Sequence, residues 1–198
     1  MSATLQTFGA RPAYHGGGGQ VRAKRVKLVD ATQAAYATAL YSNNFVTLVT
    51  DGSLAAYDGT GSSYNLGIYG VLAGFEYTAA DGKPVKANYL PASPTGITNV
   101  YAYVYTDLDI VYEIGTNASL AASAVGDQLT TITTPAAGSG QTGLGQSYAS
   151  GALAGANAQG VLRVVDIALT TDNDWGDTKT VVQVQICGAQ TLAVKVAI

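Results

Sequence analysis

The residues of this 198-residue chain whose types could do chemistry are few: a single histidine, a single cysteine and a small group of clustered aspartates. Nucleophilic catalysis by a Ser–His–Asp or Cys–His arrangement needs an imidazole held near the nucleophile. His15 stands between Tyr14 and the unbroken run Gly16–Gly19. That setting does not hold a general base within hydrogen-bond reach of a reacting group, so an exposed or interface-bound imidazole is expected. Cys187, in Val-Gln-Ile-Cys-Gly at the end of a predicted strand, reads as a small buried apolar residue. One His and one Cys do not make a tetrahedral zinc site within one subunit, and a lone cysteine forms no intrachain disulfide.

Asp172, Asp174 and Asp177 lie in Asp-Asn-Asp-Trp-Gly-Asp between two strong strand signals. Carboxylates grouped in a loop can bind calcium. The spacing is not that of an EF-hand, because Gly176 falls one position early and no closing Glu follows. The plainer reading is a polar hairpin loop with Trp175 folded onto the body or onto a neighbour. Residues 138–143, Gly-Ser-Gly-Gln-Thr-Gly, match GxGxxG formally. They open no helix after a strand, and no Lys-Ser/Thr follows, so no nucleotide site is expected. No metal, cofactor or catalytic residue is expected in this chain.

The elements that must position these residues are strands. The chain is rich in Gly, Ala, Thr, Tyr and Val, which favours strands and tight turns over long helices. Val100–Tyr105 alternates, with Val100, Ala102 and Val104 on one face and Tyr101, Tyr103 and Tyr105 on the other. Residues 66–78 form a strand broken by Gly67, Gly70 and Gly74, which suggests bulges or close backbone approach. Asp81-Gly82 is a hairpin turn, with Pro84–Leu90 as the return strand. Further strands are expected at Phe45–Val49, Ile110–Ile114, Val161–Leu169, Thr180–Ile186 and Thr191–Ile198. Ala31–Tyr41 could hold one short helix. Residues 135–160 read as a long low-complexity loop. The fold class is therefore all-β, an antiparallel sandwich or distorted barrel.

Charge is divided by position. Residues 1–29 carry Arg11, Arg22, Lys24, Arg25 and Lys27 and no acid, whereas 30–198 carry the other five cations and all thirteen acids, so the segments are formally +5 and −8. The basic segment is glycine-rich, and Pro12 biases Arg11 to an extended conformation. It reads as an extended N-terminal arm (1–29) on a β-rich body (30–198). Charged residues are 12% of the chain, about half the ~25% of ordinary domains. A surface so sparsely charged suits cover by other protein. The arm lacks the aromatic interleaving of a single-strand nucleic-acid binder and the amphipathic pattern of a membrane-surface helix. No run of 18 apolar residues exists. Neither nucleic acid nor membrane is an expected partner; an acidic protein surface is. The tyrosine face suits either an interface or a cross-strand ladder that stabilises the sheet.

Several segments resemble a family of tailed-bacteriophage virion structural proteins. They are Phe-Gly-Ala-Arg-Pro-Ala-Tyr-His-Gly-Gly at residues 8–17, Ala39-Leu40-Tyr41 through Val46-Thr47-Leu48, and Val71-Leu-Ala-Gly-Phe-Glu-Tyr77. Asp81-Gly-Lys-Pro84 through Tyr89-Leu-Pro-Ala92 and Asp107–Glu113 complete the set. The order and spacing of these blocks over residues 8–115 carry the resemblance. Leu90 departs from it, standing where that family would have Trp, and the glycine run is longer. The resemblance implies a capsid cement or decoration protein. Such a protein would bind the major capsid protein on the virion exterior after synthesis in the host bacterial cytoplasm, clustered with itself as trimers or dimers. Arm contacts to the shell would then be Phe8, Arg11, Pro12, Tyr14, His15, Arg22, Lys24 and Arg25. Tyr101, Tyr103 and Tyr105, with the 135–160 loop, would make contacts between copies. The alternatives are another virion component, such as a tail or connector protein, and a carbohydrate-binding β-sandwich using Trp175 and the 172–177 loop.

Overall fold

A computed structural model describes residues 8–28, 36, 38–49, 52–57, 59–60, 67–134 and 144–191. In chain order the strands begin with β1 (Arg11–His15), β2 (Lys24–Lys27), β3 (Leu40–Tyr41), β4 (Phe45–Leu48), β5 (Leu54–Ala56) and β6 (Gly59–Thr60). The central ones are β7 (Gly70–Thr78), β8 (Pro84–Ala87), β9 (Tyr89–Leu90), β10 (Thr98–Tyr105) and β11 (Ile110–Gly115). The last are β12 (Gln128–Leu129), β13 (Thr131–Thr133), β14 (Tyr148–Ala149), β15 (Leu162–Ile167) and β16 (Val181–Ile186). The fold is all-β. Its sheets are antiparallel and pack on one another without closing into a barrel.

Two sheets carry the residues singled out in the sequence. One runs β1-β11-β16-β15-β12; the other runs β2-β10-β7-β4-β5, with β8 also paired to β7. Period-2 patterning explains both. In β16, Val182, Val184 and Ile186 turn inward, and in β10 Val100, Ala102 and Val104 are fully buried while the three tyrosines stay half-exposed.

The first apolar core joins Ile110, Tyr112, Ile114, Val182 and Val184 of one sheet to Phe45 and Val71 of the other. The second core covers the opposite face of the six-stranded sheet with Val46, Leu72, Phe75, Val100, Ala102 and Val104. That sheet is thus buried on both faces near β4 and open on one face toward β2. A bulge makes this possible. Tyr103 faces Gly74 and Val104 faces Leu72, so Ala73 is the extra residue, and the bulge lets both Leu72 and Phe75 point into one core.

Three expectations meet a different outcome. Residues 8–28 are extended as read, but they do not stand apart from the body: β1 and β2 are edge strands, one on each main sheet. Ala10 and Leu28 are buried, and the Leu28 amide donates to the Val100 carbonyl at 2.9 Å. Burying one leucine contributes roughly 1.5–3 kcal/mol, enough to hold a short edge strand. Second, the described half of the 135–160 loop is wound through the body. The Gly145 amide donates to Ser42 O at 2.6 Å, a Cβ at Gly145 would fall 1.8 Å from Asn44 Oδ1, and Ala149 is fully buried. Only glycine allows that approach. Third, the end of the expected Ala31–Tyr41 helix is strand β3, paired with β9; most of that span, and the expected strand beyond Thr191, lie outside the described residues.

Candidate docking surface

The first half of the N-terminal segment is locked to its own sheet. Arg11 is an ion-pair partner of Glu113, its Nε donating to Glu113 Oε2 at 3.1 Å, and its guanidinium lies 5.2 Å from the centroid of the Phe8 ring. Pro12 faces Tyr112 across the ladder, and a proline on an edge strand blunts further pairing. Tyr14 is 42% exposed and donates its hydroxyl to Gln183 Oε1 at 3.3 Å.

His15 is held from both sides. Its Nε2 lies 3.0 Å from Asp107 Oδ2, and its Nδ1 accepts the amides of Gly17 at 3.1 Å and Gly19 at 3.3 Å. The glycine run is therefore a turn folded over an imidazole. The Gly18 amide donates to His15 O at 2.9 Å, and Gly18 takes a φ of +77°, which only glycine adopts without strain. With two amides aimed at Nδ1, the neutral ring carries its proton on Nε2, directed at Asp107. The Asp107 carboxyl lies below its ordinary range, chiefly because the Asp109 amide donates to it and then because of His15.

His15, Asp107 and Asp109 hold their donor atoms within 4.8 Å of one another, the group of this kind among the described residues. A cation on Nε2 would need the proton on Nδ1, facing two N–H donors. The donor set therefore suits a hydrogen-bonded clasp and not a metal.

The second half of the segment is different. Arg25 faces Tyr103 and Lys27 faces Tyr101 across the ladder. The Arg25 guanidinium lies 3.5 Å from the Tyr101 ring centroid and 3.4 Å from Glu76 Oε1. The Tyr103 hydroxyl donates to the other oxygen, Glu76 Oε2, at 2.6 Å. This bond, then the Arg25 and Lys86 charges, hold the Glu76 carboxyl below its ordinary range, and the same bond raises the Tyr103 phenol. Arg22 donates to Gln20 Oε1 at 2.8 Å. Among the described residues neither Arg22, Lys24 nor Lys27 forms an ion pair. A shallow depression of about 360 Å³ beside Tyr103 is lined by Ala23, Gly74, Lys86 and Asn88, among others. Tyr105, the third of the ladder, faces Val71 and packs against the first core.

The structure thus divides the residues singled out in the sequence. Phe8, Arg11, Pro12, Tyr14 and His15 lie along the five-stranded sheet, bound mostly to their own chain. Lys24 and Arg25 stand on β2 of the six-stranded sheet, Arg25 on the face of Tyr101 and Tyr103, whereas Arg22 precedes β2 and bonds to Gln20. Sequence reasoning missed Lys27, Glu76, Lys86 and Asp107 as members of these groups. One signal was present: Val26 and Leu28 alternate with Arg25 and Lys27, a short strand pattern inside a basic run.

The 172–177 loop closes the β15–β16 hairpin around buried Asn173. Its Nδ2 donates to Ala168 O and Val181 O at 2.8 and 2.9 Å, and its Oδ1 accepts the Val181 amide at 2.9 Å. Trp175 packs against the first core, as the plainer reading of that loop expected. The Cys187 thiol is pushed up to about 11 by burial, which makes it a poor nucleophile. No helix among the described residues is long and apolar enough to cross a membrane. Comparison with protein-family models, with curated proteins and with solved structures finds no match.

Proposed function

We propose that this chain is a non-enzymatic virion structural protein, a cement or decoration protein that docks on the outer surface of a capsid shell and bridges neighbouring subunits. The observation that carries the reading is the surface around β2. Lys24, Arg25 and Lys27 are exposed on one strand, Arg25 and Lys27 on the face of Tyr101 and Tyr103, on a chain whose remainder is acidic. Lys24 and Lys27, which form no ion pair among the described residues, suit an acidic protein surface, and tyrosine adds contact area with a polar tip. The sequence resemblance over residues 8–115 supplies the shell as that surface.

The mechanism is passive. A surface already built into the sheet docks with little ordering cost. Contacts repeated around a symmetric shell sum by avidity. A ligand that binds the assembled shell better than free subunits stabilises the assembly by mass action, about 2.7 kcal/mol at a hundredfold excess over Kd. Tyr14, Phe8 and Arg11, with the other residues of the β1 edge, would border the contact rather than clamp it.

Cosedimentation of the full chain with undecorated mature shells, followed by cryo-EM of the pellet, tests this. Extra density outside the shell at symmetry axes is expected. Protein found at the tail vertex of intact virions would replace the reading with a tail or connector role, and absence from virions would end it.

A further inference from the structure

The register of β2 shows which of its backbone groups are in use. The Leu28 amide bonds to Val100 O, and the ladder pairs Val26 with Ala102 and Lys24 with Val104. Antiparallel bonding alternates residue by residue. Lys24, Val26 and Leu28 therefore bond to β10, and the N–H and C=O groups of Arg25 and Lys27 face outward. Among the described residues β2 ends its sheet, so nothing there takes those groups. Unlike β1, this edge contains no proline.

We propose that the β2 edge accepts an extended acidic segment of a partner protein as an added strand. Three observations choose this occupant. Lys24, Arg25 and Lys27 are exposed, and the carboxylate of their sheet nearest at hand, Glu76, already receives Arg25 and the Tyr103 hydroxyl. A second copy is disfavoured, because pairing Lys-Arg-Val-Lys with itself sets like charges opposite one another. An incoming strand with acids on its outer face would meet Arg25 and Lys27, both pre-positioned beside Tyr101 and Tyr103. Main-chain bonds would give affinity and the charges would select the sequence. The inference rests on the reading that the N-terminal cations face a partner; it does not require that partner to be a shell.

The test uses the full chain and three end-capped eight-residue peptides, read by fluorescence anisotropy and by amide exchange. One peptide alternates Glu with Thr. The second is the same peptide N-methylated at alternate residues. The third alternates Lys with Thr. The Glu peptide should bind, weaken about tenfold between ~50 and ~300 mM salt, and slow exchange at the Arg25 and Lys27 amides. N-methylation should cost at least about tenfold, since it removes strand bonds and leaves charge intact. Equal binding of the N-methylated peptide, or no preference for Glu over Lys, overturns the proposal. So does concentration-dependent protection of Arg25 and Lys27 without peptide, which would make a second copy the occupant. Shell cosedimentation separates the two readings. Peptide binding without shell binding ends the shell reading and leaves the edge site standing. Shell binding by the full chain without binding of the Glu peptide does the reverse.

Discussion

β1 and β2 come from one basic segment, and each closes a sheet, yet they end in opposite states. β11 and the turn before it bring partners: Glu113 for Arg11, Asp107 for His15, and the Asp109 backbone carbonyl for the Gly16 amide at 2.7 Å. β10 brings tyrosines, and the next strand brings one acid, Glu76. The same kind of cationic sequence is therefore paired on one edge, while on the other Lys24 and Lys27 form no ion pair among the described residues. Whether a basic strand belongs to the fold or to a partner is decided by its neighbours, not by its own residues.

The largest effect should come from breaking the closed edge. Deleting residues 1–20 removes β1 and its turn. Loss of the β1–β11 ladder, at ~1 kcal/mol per hydrogen bond, with the burial of Ala10, makes a loss of roughly 5 kcal/mol. In a domain of this size that lowers Tm by about 10–20 °C. A calorimetric transition unchanged from the full chain would mean that β1 is not structural. The open edge should respond the other way. A K24E/R25E/K27E variant should melt within a few degrees of wild type and lose at least about tenfold in binding to shells or to the acidic peptide, with most of its salt dependence gone. A large fall in Tm would show that β2 holds the fold by its charges.

A smaller effect tests the clasp. His15→Ala leaves the Gly17 and Gly19 amides to water and removes the Asp107 partner. A cost of ~1–2 kcal/mol in urea unfolding is expected, with no change in peptide affinity. An unchanged urea midpoint would return the glycine run to a simple tether.

The strands with clean alternation, β10 and β16, were legible in the sequence, because one buried face imposes a period of two. The Asp81-Gly82 hairpin was legible from turn chemistry. The N-terminal segment was legible in charge and in extension but not in pairing. Val26 meets Ala102 across a long separation, and a four-residue strand carries too little pattern to announce its partner. The glycine run misled for a related reason: glycine permits freedom, but here it admits backbone against a ring, since a side-chain carbon on Gly17 would come within 3.2 Å of His15. The tyrosine ladder divides because the bulge at Ala73 and the crossing of the sheets cover only its Tyr105 end, and neither can be read from alternation alone.

The smallest effect separates the two edges by their acids. Asp107 and Glu76 both titrate below their ordinary ranges in the folded chain. A lowered folded pKa means that the native state binds fewer protons than the unfolded one, so stability rises with pH. Each contribution is fully present above the unfolded value, about 3.9 for Asp and 4.3 for Glu, and is lost as pH falls through the folded value. Urea midpoints measured from pH 5 down to pH 2.5 should therefore fall in wild type and fall less steeply in Asp107→Asn and in Glu76→Gln. The two variants should part company in binding. Asp107 lies on the closed edge, so its loss should leave affinity for the acidic peptide unchanged. Glu76 is the acid that shields Arg25, so Glu76→Gln should raise that affinity a few-fold at low salt. Equal behaviour of the two variants in binding would mean that the open edge is not the surface the partner meets.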